Sequence, residues 1–220
     1  PTPSFGLLTD VRLASTNAAT PWGDAMGASQ LASRIYPAMY VPGPAGQMIP
    51  NSDLIHAEYY PSDAEHPGAH VDFKITDQAK FSDDVPVTCD DYLLSYTAGL
   101  LNQTFGSRLP LVGDIAAMEC APESKEFTVW FNPDSGSRWR YLFGPGTVLP
   151  AHAIAQRSQM SVEELNAALH AQDPSMLEQV AQTWRDGFST EPGHFDRELQ
   201  VSFGPYVIAV SYTHLRAHET

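Results

Sequence analysis

Two pairs of adjacent carboxylates, Asp83–Asp84 and Asp90–Asp91, are the residues of this sequence whose types and spacing most invite a chemical role. Paired carboxylates serve as general acid and base in glycoside hydrolysis, and oxygen-rich turns hold hard cations. Neither is the better reading of the second pair. In VPVTCDDYLLSY, Thr88 and Asp91 stand at the spacing of a capping box, so the charges of Asp90 and Asp91 suit the positive end of a helix dipole. Ser82, Asp83 and Asp84 read as a polar turn before Pro86, with cation binding as the second reading.

The histidines in the body of the chain, His56, His66, His70, His152, His170 and His194, are scattered. His66 and His70 bracket Pro67 and Gly68, which rules out the helical i, i+4 pair of a metal site and leaves surface histidines in a turn. VPGPAG has the wrong glycine spacing for a dinucleotide site and follows a helical pattern; GPGT lacks a phosphate-loop lysine; no GxSxG elbow occurs. The sequence therefore offers no catalytic residues, no metal ligands and no cofactor motif. Cys89 and Cys120 cannot supply a four-ligand zinc site. Two readings stand for them: a bridge closing a loop of about 30 residues, contributing roughly 3–4 kcal/mol on the loop-entropy model, or two ordinary buried thiols.

The elements that must position these residues follow from periodicity. FGLLTDVRL (5–13) reads as a strand, ASTNAATPWGDAMG as a polar loop, ASQLASRIY as a helix and VPGPAGQMIP as a turn. LIHAEYY and HVDFKI alternate about a turn-forming PSDAEHPGA and read as a β-hairpin. A helix follows Thr88, and FTVWF reads as a buried strand. Pro150 suits a helix start, Ser161 with Glu164 makes a second capping box, and Asp173–Pro174 an N-cap with a proline after it. Leu177, Val180, Ala181 and Trp184 share the face of that last helix, and Gly187 is expected to stop it. Trp130, Phe131, Trp139, Tyr141 and Phe143 are expected in the core. The interspersed strands and helices indicate an α/β or α+β class.

Composition narrows the partners. Twenty-six acidic residues against 12 basic give a net charge of −14, a field that repels phosphate backbones and anionic lipid. No nucleic-acid partner is expected. No stretch approaches the roughly 20 apolar residues of a spanning helix, and PTPSFGLLTDVRL has neither a basic n-region nor an apolar h-region.

Three segments in order resemble one family. AKFSDDVPVTCDDYLLSY is similar to the signature K-[FW]-x-D-G-x-P-[VF]-T-A-x-D of the extracellular solute-binding proteins that deliver peptides and nickel chelates to ABC importers, the dipeptide/oligopeptide-binding type called family 5. Phe73 to Ile75 stand in the preceding strand; Lys80, Phe81, Asp83, Pro86, Val87, Thr88, Asp91 and Ser95 match, while Asp84 replaces the usual glycine and Cys89 a small residue. GTVLPAHAIA resembles I-[LV]-P-K-H through Leu149, Pro150 and His152, with Ala151 in place of lysine. VSFGPYVI resembles G-[TS]-G-P-Y-x-[VIL] through Gly204, Pro205 and Tyr206. The match looks actinobacterial.

The resemblance implies a partial α/β fold of the type II periplasmic-binding-protein kind. Residues 1–37 and 149–210 would belong to the first lobe and 38–148 to its accessory subdomain. The stretch 211–220, SYTHLRAHET, reads as a non-native tail, with His214 and His218 uninformative and the chain truncated near Val210. It also implies a monomeric, non-enzymatic lipoprotein outside the cytoplasmic membrane, anchored by lipid at an N-terminus that precedes residue 1. Its partners would be a peptide or small solute and the permease subunits. A hydrolase or a structural envelope domain is the alternative. The loop before the first helix faces the cleft in relatives, which makes Trp22, Asp24, Ala25 and Met26 candidate ligand contacts by position. Asp24 could meet a cationic group or be a solvated loop carboxylate. Phe105 is a further candidate contact, with core packing as the other reading. An extracytoplasmic setting makes a Cys89–Cys120 bridge chemically permissible; the other reading is that the thiols never meet.

Overall fold

Alternation along the strands decides where the core lies, because successive side chains of a strand point to opposite faces. The computed structural model describes residues 13–24 and 28–208. The expected opening strand falls almost wholly outside these residues, as does the tail 211–220. In β4 (His70–Ile75), Val71, Phe73 and Ile75 are buried while Asp72 and Lys74 are exposed; in β6 (Glu126–Phe131), Phe127, Val129 and Phe131 are buried. With β3 (Ile55–Tyr60) and β5 (Ile115–Glu119) they form a four-stranded sheet in the order β3-β4-β6-β5, every pairing antiparallel. A register shift between Ile115 and Ala117 interrupts the last pairing.

The stretch expected to be a plain turn contains a second hairpin, β1 (Tyr40–Pro42) with β2 (Met48–Pro50). Its strands are three residues each, too short to carry a readable alternation. Two aromatic expectations also change. Phe131, Trp139 and Phe143 are buried, but Tyr141 is 48% exposed and Trp130 stands half-buried on the outer sheet face.

The inner sheet face is covered by α2 (Cys89–Leu100). Tyr92 stacks on Phe127 at 5.0 Å and Phe127 on Phe73 at 4.7 Å. Every residue of α2 from Cys89 to Gly99 is buried, the mark of a helix enclosed on all sides. Its remaining faces meet α4 (Ala151–Arg157) and α5 (Val162–Ala171). As expected, Ser161 caps α5, its hydroxyl accepting the Glu164 N–H at 3.1 Å. Asp173 caps a 3-10 turn over Pro174–Met176, and α6 proper runs Glu178–Asp186. Leu177, Val180, Ala181 and Trp184 are fully buried. Gly187 ends α6 at φ −75°, so its role is space: a Cβ there would lie 2.3 Å from Leu199 Cδ2. α1 (Ala28–Ile35) buries Ala28, Ala32 and Ile35. Between α2 and the β5 segment lies α3 (Asn102–Phe105).

The three motif segments converge on one corner. Asp91 Oδ2 accepts the Thr88 N–H at 2.9 Å and its Oδ1 the Ala151 N–H at 2.8 Å. The Thr88 hydroxyl donates to Asp90 Oδ2 at 3.2 Å, so Asp90 shares in the cap. His152 Nε2 lies 2.7 Å from Asp83 Oδ2, and the Phe81 ring sits between His152 and Phe203 at 5.0 and 5.3 Å. The Ser82 N–H donates to Ser202 O at 2.7 Å. Gly204 is required there by close approach, since a Cβ would fall 2.0 Å from Arg34 O. Asp84, standing where the resembled family has glycine, takes φ 67°, the left-handed region glycine tolerates best. Cys89 and Cys120 are joined in a disulfide across a separation of 31 residues, tying the start of α2 to the end of β5.

Candidate functional site

The loop from Ala14 to Asp24 is held by its own polar residues, and that rigidity makes it a platform. Ser15, Thr16, Asn17 and Thr20 are buried, an unusual place for four polar side chains, and each is hydrogen-bonded. Asn17 is the hub: its Nδ2 donates to Trp184 O at 2.9 Å, its Oδ1 accepts the Ala19 N–H at 3.0 Å and its carbonyl accepts the Thr20 hydroxyl at 2.9 Å. Gly23 closes over it, with room for no Cβ because Asn17 O would lie 2.0 Å away. The Thr16 hydroxyl donates to Gln200 Oε1 at 2.7 Å, and Gln200 Nε2 donates to Ser189 O at 2.8 Å. Two distant segments, 14–24 and 185–200, are thus clamped side by side.

Between them opens a cleft of about 330 Å³, lined by Trp22, Arg185, Asp186, Ser189, Glu191 and His194 among others. Trp22 is 51% exposed and lines the cleft. Arg185 is anchored, its guanidinium donating to Thr104 O. Gly106, at φ 60°, ends α3 beneath both: a Cβ would stand 3.3 Å from Arg185 Cδ and 4.0 Å from Trp22 Cζ3. The hydroxyls of the two cleft serines serve the backbone, Ser15 Oγ accepting the Asn17 N–H and Ser189 Oγ the Glu191 N–H, both at 3.1 Å. An aromatic plane beside a fixed guanidinium, two carboxylates and an imidazole can hold a polar or zwitterionic solute by stacking and paired charges.

Of the residues expected from sequence, Trp22 reaches this cleft. Asp24 is exposed at the loop's end, its N–H bonded to Thr20 O at 3.1 Å, and does not line the cleft. Ala25 and Met26 lie outside the described residues. Phe105 is fully buried, edge-to-face with Trp184 at 6.1 Å, the packing position that was its other reading, and it does not line the cleft. Arg185, Glu191 and His194 were missed by sequence reasoning. The only signal was the polar side of the α6 pattern, and the contact that fixes Arg185 spans 81 residues.

The motif corner is charged and holds a smaller cavity of about 180 Å³, lined by Thr88, Asp90, Asp91, Lys125 and His152 among others. Burial raises the Asp91 carboxyl to about 7, against the two N–H bonds that lower it. Burial lowers the Lys125 ammonium, whose Nζ donates to the carbonyls of Val87 at 2.7 Å and of Thr76 and Ala79 at 3.2 Å. Among the described residues, Cys89, Asp90 and Cys120 form the sole close group of metal-ligand types, and both of its sulfurs are committed to the disulfide. No helix among those residues is long and apolar enough to cross a membrane.

Comparison with known proteins fits this architecture. No family model matches the chain. It is 31% identical over 205 residues to an uncharacterized lipoprotein of Mycobacterium tuberculosis (strain ATCC 25618 / H37Rv), covering 90% of this chain and 36% of that one. A Mycobacterium leprae (strain TN) uncharacterized lipoprotein is 33% identical over 141 residues, 63% of this chain and 25% of its own length. The chain therefore spans about a third of the length of the curated relatives it matches. Among solved structures, a periplasmic EDTA-binding protein superposes with TM-score 0.66 at 18% identity, over 91% of this chain and 32% of that one. An oligopeptide-binding protein from Thermus thermophilus, complexed with a pentapeptide, gives 0.53 at 16%, over 86% of this chain and 31% of its own. The fold is that of the periplasmic binding proteins of the oligopeptide-binding kind.

Proposed function

We propose that this chain is part of the solute-binding component of an ABC importer, which captures a peptide or a related small solute outside the cytoplasmic membrane and hands it to a permease. The observation that carries this reading is the superposition, over nine-tenths of the chain, on a protein named as EDTA-binding. The cleft beside Trp22 supports it, because aromatic and charged groups converge there while both cleft serines are engaged with backbone. The mycobacterial relatives are named lipoproteins, which supports a lipid-anchored, extracytoplasmic setting and an actinobacterial source. On this reading the whole protein acts as a monomer, binds without covalent chemistry, and works by closure of two lobes around the solute, of which this chain supplies part of the first. Residues 38–148 form the accessory subdomain and 1–37 with 149–210 the first lobe.

Thermal shift and calorimetric titration with di- to pentapeptides and an EDTA chelate test the proposal. Saturable binding that returns the solute unchanged is expected, with Trp22→Ala weakening it at least tenfold. Hydrolysis of the peptide panel would instead point to an extracytoplasmic hydrolase, and neither binding nor turnover to a structural envelope domain.

A further inference from the structure

On the sheet face turned away from α2, the strand register sets side chains in rows. Tyr60, His70 and Trp130 stand opposite one another across β3, β4 and β6, with ring centroids 4.7 and 4.3 Å apart. His66, from the loop between β3 and β4, adds a ring 5.4 Å from Trp130. The next row is Glu58, Asp72, Thr128 and Glu119, across all four strands. A third row holds His56, Lys74 and Glu126. An open trough of about 720 Å³ runs over the second and third rows.

Two of the three carboxylates of the second row are held by neutral donors. The Thr128 hydroxyl donates to Asp72 Oδ1 at 2.7 Å and the Trp130 indole donates to Glu119 Oε1 at 3.0 Å, while Glu58 raises the pKa of the Tyr60 phenol beside it. Such bonds fix position and leave the charge in place. Glu58 and Asp72 face each other directly in the register, where like charges destabilise a sheet. Lys74, the permanent cation of these rows, lies 3.8 Å from Glu126 and not in the second row. Among the described residues these three carboxylates have no cationic partner, and they are too spread to converge on one metal ion.

We propose that this face docks a basic segment of a partner polypeptide. Its lysine or arginine side chains sit among Glu58, Asp72 and Glu119, with an arginine plane or a lysine stem against the Trp130–His70–Tyr60 row. Guanidinium groups match carboxylates and stack on aromatic faces, so one residue type satisfies both rows at once. Spaced, oriented charges of one sign steer and register a partner of the other sign.

The test is fluorescence anisotropy of a labelled decapeptide of alternating arginine and serine, titrated with the whole 220-residue chain at low and at physiological salt. Saturable binding that weakens with salt is expected, and E58Q/D72N should cut affinity at least tenfold while its melting temperature stays equal to or above that of the parent. E163Q/E178Q, which removes the same two charges from exposed helix starts, should change affinity less than twofold. Equal losses from the two double variants would overturn the proposal, because attraction to net charge would then suffice. No binding, or equal binding of a glutamate–serine decapeptide, would overturn it too. Dimerisation that E58Q/D72N abolishes would overturn it by assigning the face to a second copy.

Discussion

Asp91 and Ala151, 60 residues apart, are joined by a 2.8 Å bond from the Ala151 N–H to the Asp91 carboxylate, whose other oxygen caps the start of α2. One buried side chain thereby locks the helix that backs the sheet to the helix that follows Pro150. Burial raises this carboxyl from 3.8 to about 7, so the folded chain holds the proton more tightly than the unfolded chain does. Its contribution to stability is full below the unfolded value and is lost as pH rises through about 7. Asp91→Asn should unpair one N–H, costing about 1–3 kcal/mol, and should remove that slope. Urea unfolding between pH 4 and 7 checks this; the parent's advantage over the variant should shrink with rising pH by an amount on the order of 4 kcal/mol.

Removing the Cys89–Cys120 bridge frees a 31-residue separation in the unfolded chain. Replacing both cysteines by serine should lower stability by roughly 3–4 kcal/mol on the loop-entropy model. Both cysteines are buried, so a reductant should act on the parent slowly below its melting transition. Melting curves of parent and double variant, with and without reductant, measure both effects.

Asn17→Ala should cost about 2–3 kcal/mol, because the Trp184 carbonyl and the Ala19 N–H lose their partner together in a fully buried site. It should also weaken solute binding by loosening the loop that carries Trp22, whereas Trp22→Ala should leave stability within about 0.5 kcal/mol. Chemical denaturation alongside calorimetric titration separates the two.

At Asp84, φ is 67° in an exposed turn. Asp84→Gly relieves the left-handed backbone at the expense of unfolded-state entropy, and a net gain of about 0.5 kcal/mol is expected. A melting temperature below the parent's would show that the Asp84 side chain contributes something of its own to the corner.

Local signals were legible where the chain obeys one period at a time. The β3–β4 hairpin followed from alternation, α5 from the Ser161 cap, and the buried stripe of α6 from its spacing. Periodicity failed where the deciding contact is distant or the element short. Nothing local tells Trp130 from Phe131; the register with β4 and β5 puts one outside and the other inside. Phe105 allows both a solute contact and core packing in sequence, and its edge-to-face contact with the distant Trp184 is part of what buries it. The cleft was legible only through Trp22, because Arg185 and His194 reach it by way of the Asn17 and Gln200 bonds, which join residues more than 160 apart or span the return segment.

The Gly146 N–H donates to Tyr36 O at 2.8 Å, so the chain leaves the helical part at Tyr36 and rejoins it at the same spot after the sheet, α2 and the bridge have been built. Everything between is an excursion whose two ends meet. Loops at its outer edge, such as the one carrying His66, can lengthen at a closure cost that rises only with the logarithm of their length. Evolution, or an engineer, can therefore rework the charged sheet face as a module and leave the Trp22 cleft untouched, provided α2 and α3 keep their packing against α5 and α6.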